Sequence, residues 1–432
     1  MIVEQQLYLN IDRIKHLVRR YEGEWDQGVK QGYGTYYYSS GNIYEGDWEK
    51  GIRKGTGTFY YSNGSRYQGE FDFDQLHGYG VIYYYDGGKY EGDFMFDKKT
   101  GRGRYEYPNG AIYDGSWYED KYHGEGTLLY KDKYEYYGDW RQGKRDGLGI
   151  LTHPNGDKRI GHWKDNFPLY TYLQFVNGEK YYGKDINFEP TGCGLYRYIE
   201  GSFYKGQFVK GKQNGLGYYF FNDNGTSYLG QMVDGYFEGM GIIRGPDFVY
   251  YGQFEKDKYH GFGLMIDNQG EIKGCGEHEN GQFISFEKIQ SHKYSNGDFY
   301  LGYFENGKRN GMGAYFFNDG TLIVGKWNDD SINGVGIFVK KDGFAVTTYR
   351  NNVIDGEGVN VTLKNNIYLG GMYKGQFEGE GTFFLANGDI VEGTWKEGVQ
   401  YGKAVIRNEL NVQEFECKNG KLDKLIASYS LK

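Results

Sequence analysis

The stretch Tyr44-Glu45-Gly46-Asp47-Trp48-Glu49-Lys50-Gly51-Ile52-Arg53-Lys54-Gly55-Thr56-Gly57 contains the pattern that organises the whole chain. Its timing glycine is Gly46. One aromatic stands two residues before it and another two residues after, and a glycine-bearing turn and a Gly-x-Gly pair follow. The frame recurs at Gly23, Gly69, Gly92, Gly115, Gly138 and Gly161, always 23 residues apart, and continues less strictly to Gly393. A fixed period of this size means stacked copies of one small unit, each burying its apolar face only against its neighbours. All 7 tryptophans fall in the slot two residues after a timing glycine, as Trp25, Trp48, Trp117, Trp140, Trp163, Trp327 and Trp395.

Each unit reads as a β-hairpin. Asn-Gly signals such as Ser62-Asn63-Gly64 and Pro108-Asn109-Gly110 lie between short aromatic runs, and both turn residues tolerate the positive φ of a tight primed turn. Side chains alternate along a strand, so in Tyr21-Glu22-Gly23-Glu24-Trp25 the Tyr, Gly and Trp share one face and the carboxylates the other. Rings of the next hairpin are expected to enter the gap over the glycine and build an aromatic ladder. The expected fold is all-β: an elongated single-layer twisted antiparallel sheet of tandem hairpins, about 17 in number, with short helical or irregular caps at both ends.

Composition narrows the function. Of 432 residues 72 are glycine and 47 tyrosine but only 5 proline, which excludes collagen-like and Pro-rich disordered chains. No apolar run is long enough to cross a bilayer as a helix, and the beginning of the chain lacks a signal-peptide pattern, so an intracellular, cytoplasmic protein is expected. The 3 cysteines are far apart and without metal spacing, consistent with free thiols. A net charge of −8 without a basic stripe argues against nucleic acid and for protein partners.

Along the chain, residues 1–20 read as an N-terminal cap, with an amphipathic helix pattern over Asn10 to Val18. Regular repeats fill 21–166, and irregular ones 167–276 follow a bend where Tyr170 and Tyr172 replace the Gly-x-Gly. An irregular insertion, 277–296, precedes further repeats over 297–410 that include a degenerate unit with Thr347 in the glycine slot. Residues 411–432 read as a C-terminal cap, with Leu422, Leu425, Ile426 and Tyr429 in a helix-like stripe.

Chemistry is sparse. Gly138 to Lys144, Gly206 to Lys212 and Gly302 to Lys308 match G-x-x-x-x-G-K, but no Ser/Thr follows and each arises from the repeat itself. His77, His123 and His260 each precede a Gly-x-Gly and belong to separate repeats, so they do not form a ligand set. His278 between Glu277 and Glu279 reads as a solvated loop histidine. Neither a catalytic residue, a metal site nor a cofactor is expected.

The motif Tyr-x-Gly-x-Trp/Phe, turn, Gly-x-Gly, over roughly residues 21–405, resembles the MORN repeat (membrane occupation and recognition nexus), with departures at 167–182, 272–296 and 339–352. The resemblance implies a hairpin sheet with an aromatic-lined groove and a non-enzymatic scaffold role. Partners are expected to be protein subunits of a larger assembly, with a homo-oligomer as a further option, no nucleic acid and at most weak membrane contact. It favours a cytoskeletal, axonemal or radial-spoke-head type of assembly and a place on the cytoskeleton or in the cilium axoneme. The expected partner-binding ladder comprises Tyr44, Trp48, Tyr113, Trp117, Tyr136, Trp140, Trp163, Tyr204, Phe208, Phe254, Trp327 and Trp395. The alternative is a membrane-contact adaptor binding acidic phospholipids through Arg13, Lys15, Arg19 and Arg20 and lysines such as Lys30, Lys54, Lys144 and Lys212.

Overall fold

The computed structural model describes residues 19–431, all of whose regular structure is β-strand. The expected N-terminal cap lies, except for its last two residues, outside the described residues. Two compact units divide between Leu169 and Tyr170, inside the stretch where the Gly-x-Gly is lost.

In the first unit each 23-residue frame forms two strands, as in Ile43–Glu49 followed by Ile52–Tyr60, and consecutive strands pair antiparallel. The register places glycine opposite glycine. Gly34 pairs with Gly46, Gly46 with Gly57, Gly57 with Gly69 and Gly69 with Gly80, and the lane continues to Gly161. The lane needs glycine because rings lie on it: a Cβ on Gly57 would stand 2.6 Å from the Tyr44 ring.

The two turn types differ from the sequence expectation. The tight two-residue turns are at the other end of the hairpin, where Lys50 and Gly51 have φ of 51° and 85° and Glu119 and Asp120 have 48° and 65°; positive φ at both positions is what a type I′ turn requires. At Ser62-Asn63-Gly64 only Gly64 is positive. Its N–H donates to Tyr61 O at 3.0 Å, and Asn63 Oδ1 accepts from the Ser65 N–H at 2.9 Å, which makes a longer loop around a turn with a left-handed glycine.

One strand of each hairpin carries a bulge after the timing glycine, as between Gly69 and Glu70. Gly78 opposite has φ +55°, and the Glu70 carboxylate accepts the Tyr79 N–H at 3.0 Å. Asp47, Asp93 and Asp139 bind the N–H of Thr56, Arg102 and Leu148 in the same way at 2.7–2.9 Å. These carboxylates, read from sequence as a solvated face, satisfy donors that the bulge frees from the ladder.

The second unit is built differently. Its first layer runs through Lys180–Ile186 to Gln282–Ser285, and a 13-stranded sheet from Gln290–Lys293 to Lys421–Ser430 forms the second. The chain passes from one layer to the other within the irregular 277–296 segment. About that connection the layers lie back to back in mirror order: Lys258–Asp267 faces Lys308–Phe316, Tyr236–Arg244 faces Ser331–Lys340, and Lys212–Phe220 faces Val353–Thr362. An aliphatic core of Leu195, Leu229, Ile242, Leu264, Val324, Ile337, Val346, Val359 and Leu369 fills the space between them. All-β tandem hairpins are therefore found throughout, as a two-layer packing in this unit. The main cause is the slot before the timing glycine, which holds Glu45, Gln68, Glu91 and Asp114, with Ile160 as the exception, in the first unit, and Leu229, Tyr251, Leu301, Val324, Val346 and Leu369, with Lys205 and Glu392 as the exceptions, in the second. The helix-like stripe Leu422, Leu425, Ile426, Tyr429 lies on the terminal strand Lys421–Ser430, which pairs with Asn411–Lys418.

Candidate partner-binding face

The ladder forms as the spacing requires. Within a repeat the Tyr44 and Trp48 rings meet edge to face at 5.2 Å, and Tyr44 also meets Phe71 of the next repeat at 4.9 Å. The series continues through Tyr67, Phe94, Tyr90, Trp117, Tyr113, Trp140, Tyr136 and Trp163. Each ladder tyrosine donates its hydroxyl to the carbonyl three residues on, as Tyr44 to Asp47 at 3.0 Å and Tyr113 to Ser116 at 2.8 Å. Indole N–H groups donate to lane carbonyls, Trp48 to Gly34 at 3.1 Å and Trp140 to Gly126 at 3.0 Å. Every polar atom of the ring set is thus placed, and rings that can move in neither direction make a rigid layer.

All twelve residues expected to bind partners belong to this ladder or its counterparts in the second unit, and none is more than 5% exposed. Tyr44, Trp48, Tyr113, Trp117, Tyr136, Trp140 and Trp163 lie in the first unit; Tyr204, Phe208, Phe254, Trp327 and Trp395 lie in the second. They form the core of the sheet, and what is presented to solvent is the set of side chains lying over them.

That cover comes from two slots. The residue seven after the timing glycine lies over the ring of the following repeat: Lys30 Nζ is 3.5 Å from the Trp48 centroid, the Arg53 guanidinium 5.2 Å from Phe71, and the Arg145 guanidinium 4.4 Å from Trp163. Lys99 Nζ stands about equally far from four rings, Tyr84, Tyr90, Tyr105 and Trp117, at 4.9–5.4 Å. Burial holds the Lys30 and Lys99 ammonium groups below the usual lysine range, Asp74 and Asp120 partly offsetting the effect. The second slot, at the long loop, supplies one half-buried tyrosine per repeat: Tyr38, Tyr61, Tyr84, Tyr107 and Tyr130. Between them a cleft of about 430 Å³ is lined by Phe59, Tyr61, Tyr84, Arg53, Lys99 and the carboxylates of Asp74, Asp97 and Asp120.

Both slots are visible in the sequence as recurrences at fixed distance from the timing glycine, Lys30, Arg53, Lys99, Arg145 and Arg309 in one and a near-continuous row of tyrosines in the other. The sequence reading took the tip lysines for outward charges. Lys30 instead turns over the rings, while Lys54 pairs with Glu49 at 2.9 Å, Lys144 with Asp165 at 2.9 Å and Lys212 with Asp234 at 3.9 Å.

No group of three or more metal-ligating side chains is close enough to hold an ion among the described residues. Burial pushes the Cys193 thiol up to about 11 and Cys275 to about 12, so both are protonated and unreactive at neutral pH.

The family model for the MORN repeat matches the chain at 21–43, 44–66, 67–89, 90–112, 113–133, 136–158, 204–226, 228–248, 250–271, 300–322, 324–344 and 368–390, more than half its length. Among curated proteins, Alsin of Homo sapiens is 30% identical over 234 residues, covering 51% of this chain but 13% of Alsin, and Alsin of Mus musculus matches to the same extent. Among solved structures, the TCP domain of SAS-4 from Drosophila melanogaster, in complex with a proline-rich motif of Ana2, is 14% identical over 38% of this chain and 86% of that one, with a TM-score of 0.26. That overlap is too small for anything to be carried over.

Proposed function

The chain belongs to the MORN-repeat family, and from that premise we propose that it is a non-enzymatic scaffold whose aromatic face grips segments of partner proteins. The observation that supports this reading most is the outer row of Tyr38, Tyr61, Tyr84, Tyr107 and Tyr130, half-exposed at one-repeat intervals over a rigid ladder. Rings held in place lose little entropy on binding, and Arg53 and Lys99 between them add directional charge. The assembly is of cytoskeletal type, in the cytoplasm, with an axonemal, radial-spoke-head complex as its specific form and protein subunits as its partners.

Ion pairing favours proteins over membranes as the target. Anionic lipid binding needs several uncompensated basic residues close to one surface, and tip lysines such as Lys98 and Lys308 are compensated by Asp120 at 2.8 Å and Asp329 at 3.5 Å.

The test is purification of the full chain from its native source after a high-salt wash, beside a Tyr61→Ala/Tyr84→Ala variant whose thermal unfolding is measured in parallel. Partners retained by the native chain and lost from a folded variant are expected. Identical partners on both, or sedimentation of the native chain with phosphoinositide liposomes at physiological salt, would refute the reading.

A further inference from the structure

In the second layer of the second unit the ladder loses two successive tyrosines, and the gap leaves a built site. In a regular repeat four ring slots surround each glycine pair. Around Tyr349 most are vacated. Ile323 and Ala345 stand where other repeats have the ladder tyrosine, Asn360 where they have Phe59 or Tyr315, and Lys340 and Thr362 where they have Tyr61 or Phe317. Thr347 in the glycine slot is fully buried and leaves no room for a tyrosine at 345.

Tyr349 is what remains. It is 3% exposed, its ring lies where a Cβ on Gly336 would meet it at 3.2 Å, and no aromatic ring pairs with it among the described residues. Its hydroxyl is shielded from solvent without a hydrogen-bond partner among the described residues, whereas Tyr300 and Tyr368 on either side donate to carbonyls at 3.2 and 3.0 Å. A buried donor left unmatched is costly, and it marks the place where the regular packing of the ladder breaks down.

Beside it opens a cleft of about 580 Å³ with an apolar floor of Ile323, Phe338, Tyr349, Ile354 and Met372. Lys340 and Lys374 are on its lining, and no ion pair is formed by either among the described residues.

We propose that this cleft is the docking site for an acidic segment of a partner protein that carries an aromatic side chain. The ring enters the gap next to Tyr349 and completes the ladder, and carboxylates beside the ring meet Lys340 and Lys374. Charge complementarity selects an acidic segment, and the missing rings select an aromatic one. The proposal rests on the scaffold reading and gives it a second, separate contact.

The full chain is titrated with two fluorescently labelled probes, N-acetyl-Asp-Glu-Phe-Glu-Asp-amide and the same peptide with Ala for Phe. The Phe probe is expected to bind at least roughly tenfold more tightly, as burial of one phenyl ring suggests. Lys340→Tyr, which restores the ring other repeats have there, is expected to remove that preference while leaving thermal unfolding unchanged or raised. Lys340→Glu/Lys374→Glu is expected to weaken the Phe probe and abolish its salt dependence. Equal binding of the two probes, or an undiminished preference in Lys340→Tyr, overturns the proposal. Carrying Lys340→Tyr through the native purification separates the two readings: partners retained without the Phe preference leave the scaffold role in place and make this cleft no part of it.

Discussion

Replacing Gly115 with alanine tests the ladder at its tightest point. A Cβ at Gly115 would stand 2.4 Å from Gly126 Cα, 2.8 Å from Tyr113 Oη and 2.9 Å from Glu125 O, all closer than carbon atoms approach. Gly126 is its pairing partner, so the sheet must open locally, and the Tyr113 ring must move as well. That ring is fully buried, donates to Ser116 O at 2.8 Å, meets Trp117 at 5.2 Å and Trp140 at 5.6 Å, and stacks on Tyr122 at 3.6 Å. The lost hydrogen bond is worth about 1 kcal/mol, each disturbed ring pair about 0.5–1.5 kcal/mol, and overpacking adds about 1–3 kcal/mol. Allowing for partial relaxation, a loss of about 4 kcal/mol is expected. The comparison is Gly110→Ala, where nothing lies within 4 Å and only the φ of +87° is strained, for about 1 kcal/mol. Denaturant titration of the full chain, followed by tryptophan fluorescence, reads both as shifts of the first unit's midpoint. Glu119→Ala, at an exposed tip, serves as the baseline. A Gly115→Ala shift no larger than that of Gly110→Ala would show that rings do not lie on the glycine lane.

Two further outcomes follow from the packing. Leu229→Glu gives the second unit the residue type the first has in the same slot; placing a carboxylate between the layers is expected to destabilise that unit by about 3–5 kcal/mol, while the reciprocal Glu91→Leu costs under ~1 kcal/mol, since Glu91 loses only exposed contacts to Lys89 and Tyr79. Similar denaturation midpoints for the two variants would refute the two-layer assignment. Burial raises the ladder phenols of Tyr44, Tyr67, Tyr90 and Tyr136 above their ordinary value of 10.0, and burial with the Asp298 contact pushes Tyr315 up to about 12. The folded chain then holds protons that the unfolded chain releases, so this stability is fully present below pH 10.0 and falls as pH rises through the raised values. Alkaline titration is expected to show ladder tyrosinate absorbance appearing together with loss of the sheet signal; ionisation of those phenols with the sheet intact would contradict it.

The hairpin repeat, the shared face of Tyr, Gly and Trp, and the edge-to-face ladder were legible in the sequence because each follows from strand alternation and a fixed period. Accessibility was not. Whether Trp48 or Trp140 touches solvent depends on Lys30 and Tyr122, which come from a neighbouring hairpin and reach the rings only after the register is set. The tight turn was placed at the wrong end of the hairpin for a related reason. Asn-Gly suits a primed turn, but Phe73-Asp74 and Glu119-Asp120 adopt positive φ at the other end because the strands continue closely paired up to it. Asp74 and Asp120 are then held there by the N–H groups of Arg53 and Lys99 in the preceding repeat, at 2.9 and 3.0 Å.

The number of layers turns on a single slot. Every hairpin buries one face with its own rings, so the fate of the other face depends on the free energy of covering it. A leucine, valine or isoleucine removed from water there contributes about 1.5–3 kcal/mol, and an unpaired carboxylate in the same place costs several. Repeated over the frames, the sign of that term is decisive. Glu45, Glu91 and Asp114 disfavour a second layer, whereas Leu229, Val324, Val346 and Leu369 favour one, which also accommodates Lys205 over the Phe384 ring. One repeat motif therefore produces two architectures in one chain. The single-layer unit keeps a polar face of exposed tyrosines such as Tyr33 and Tyr79, tied to Glu45 at 3.1 Å and Glu91 at 2.6 Å, and the two-layer unit turns both of its ring ladders outward. An outward ladder with a missing rung is exposed to partners in a way a continuous one is not, because the vacated ring positions around Tyr349 open a cleft beside a buried ring that no other ring among the described residues pairs with.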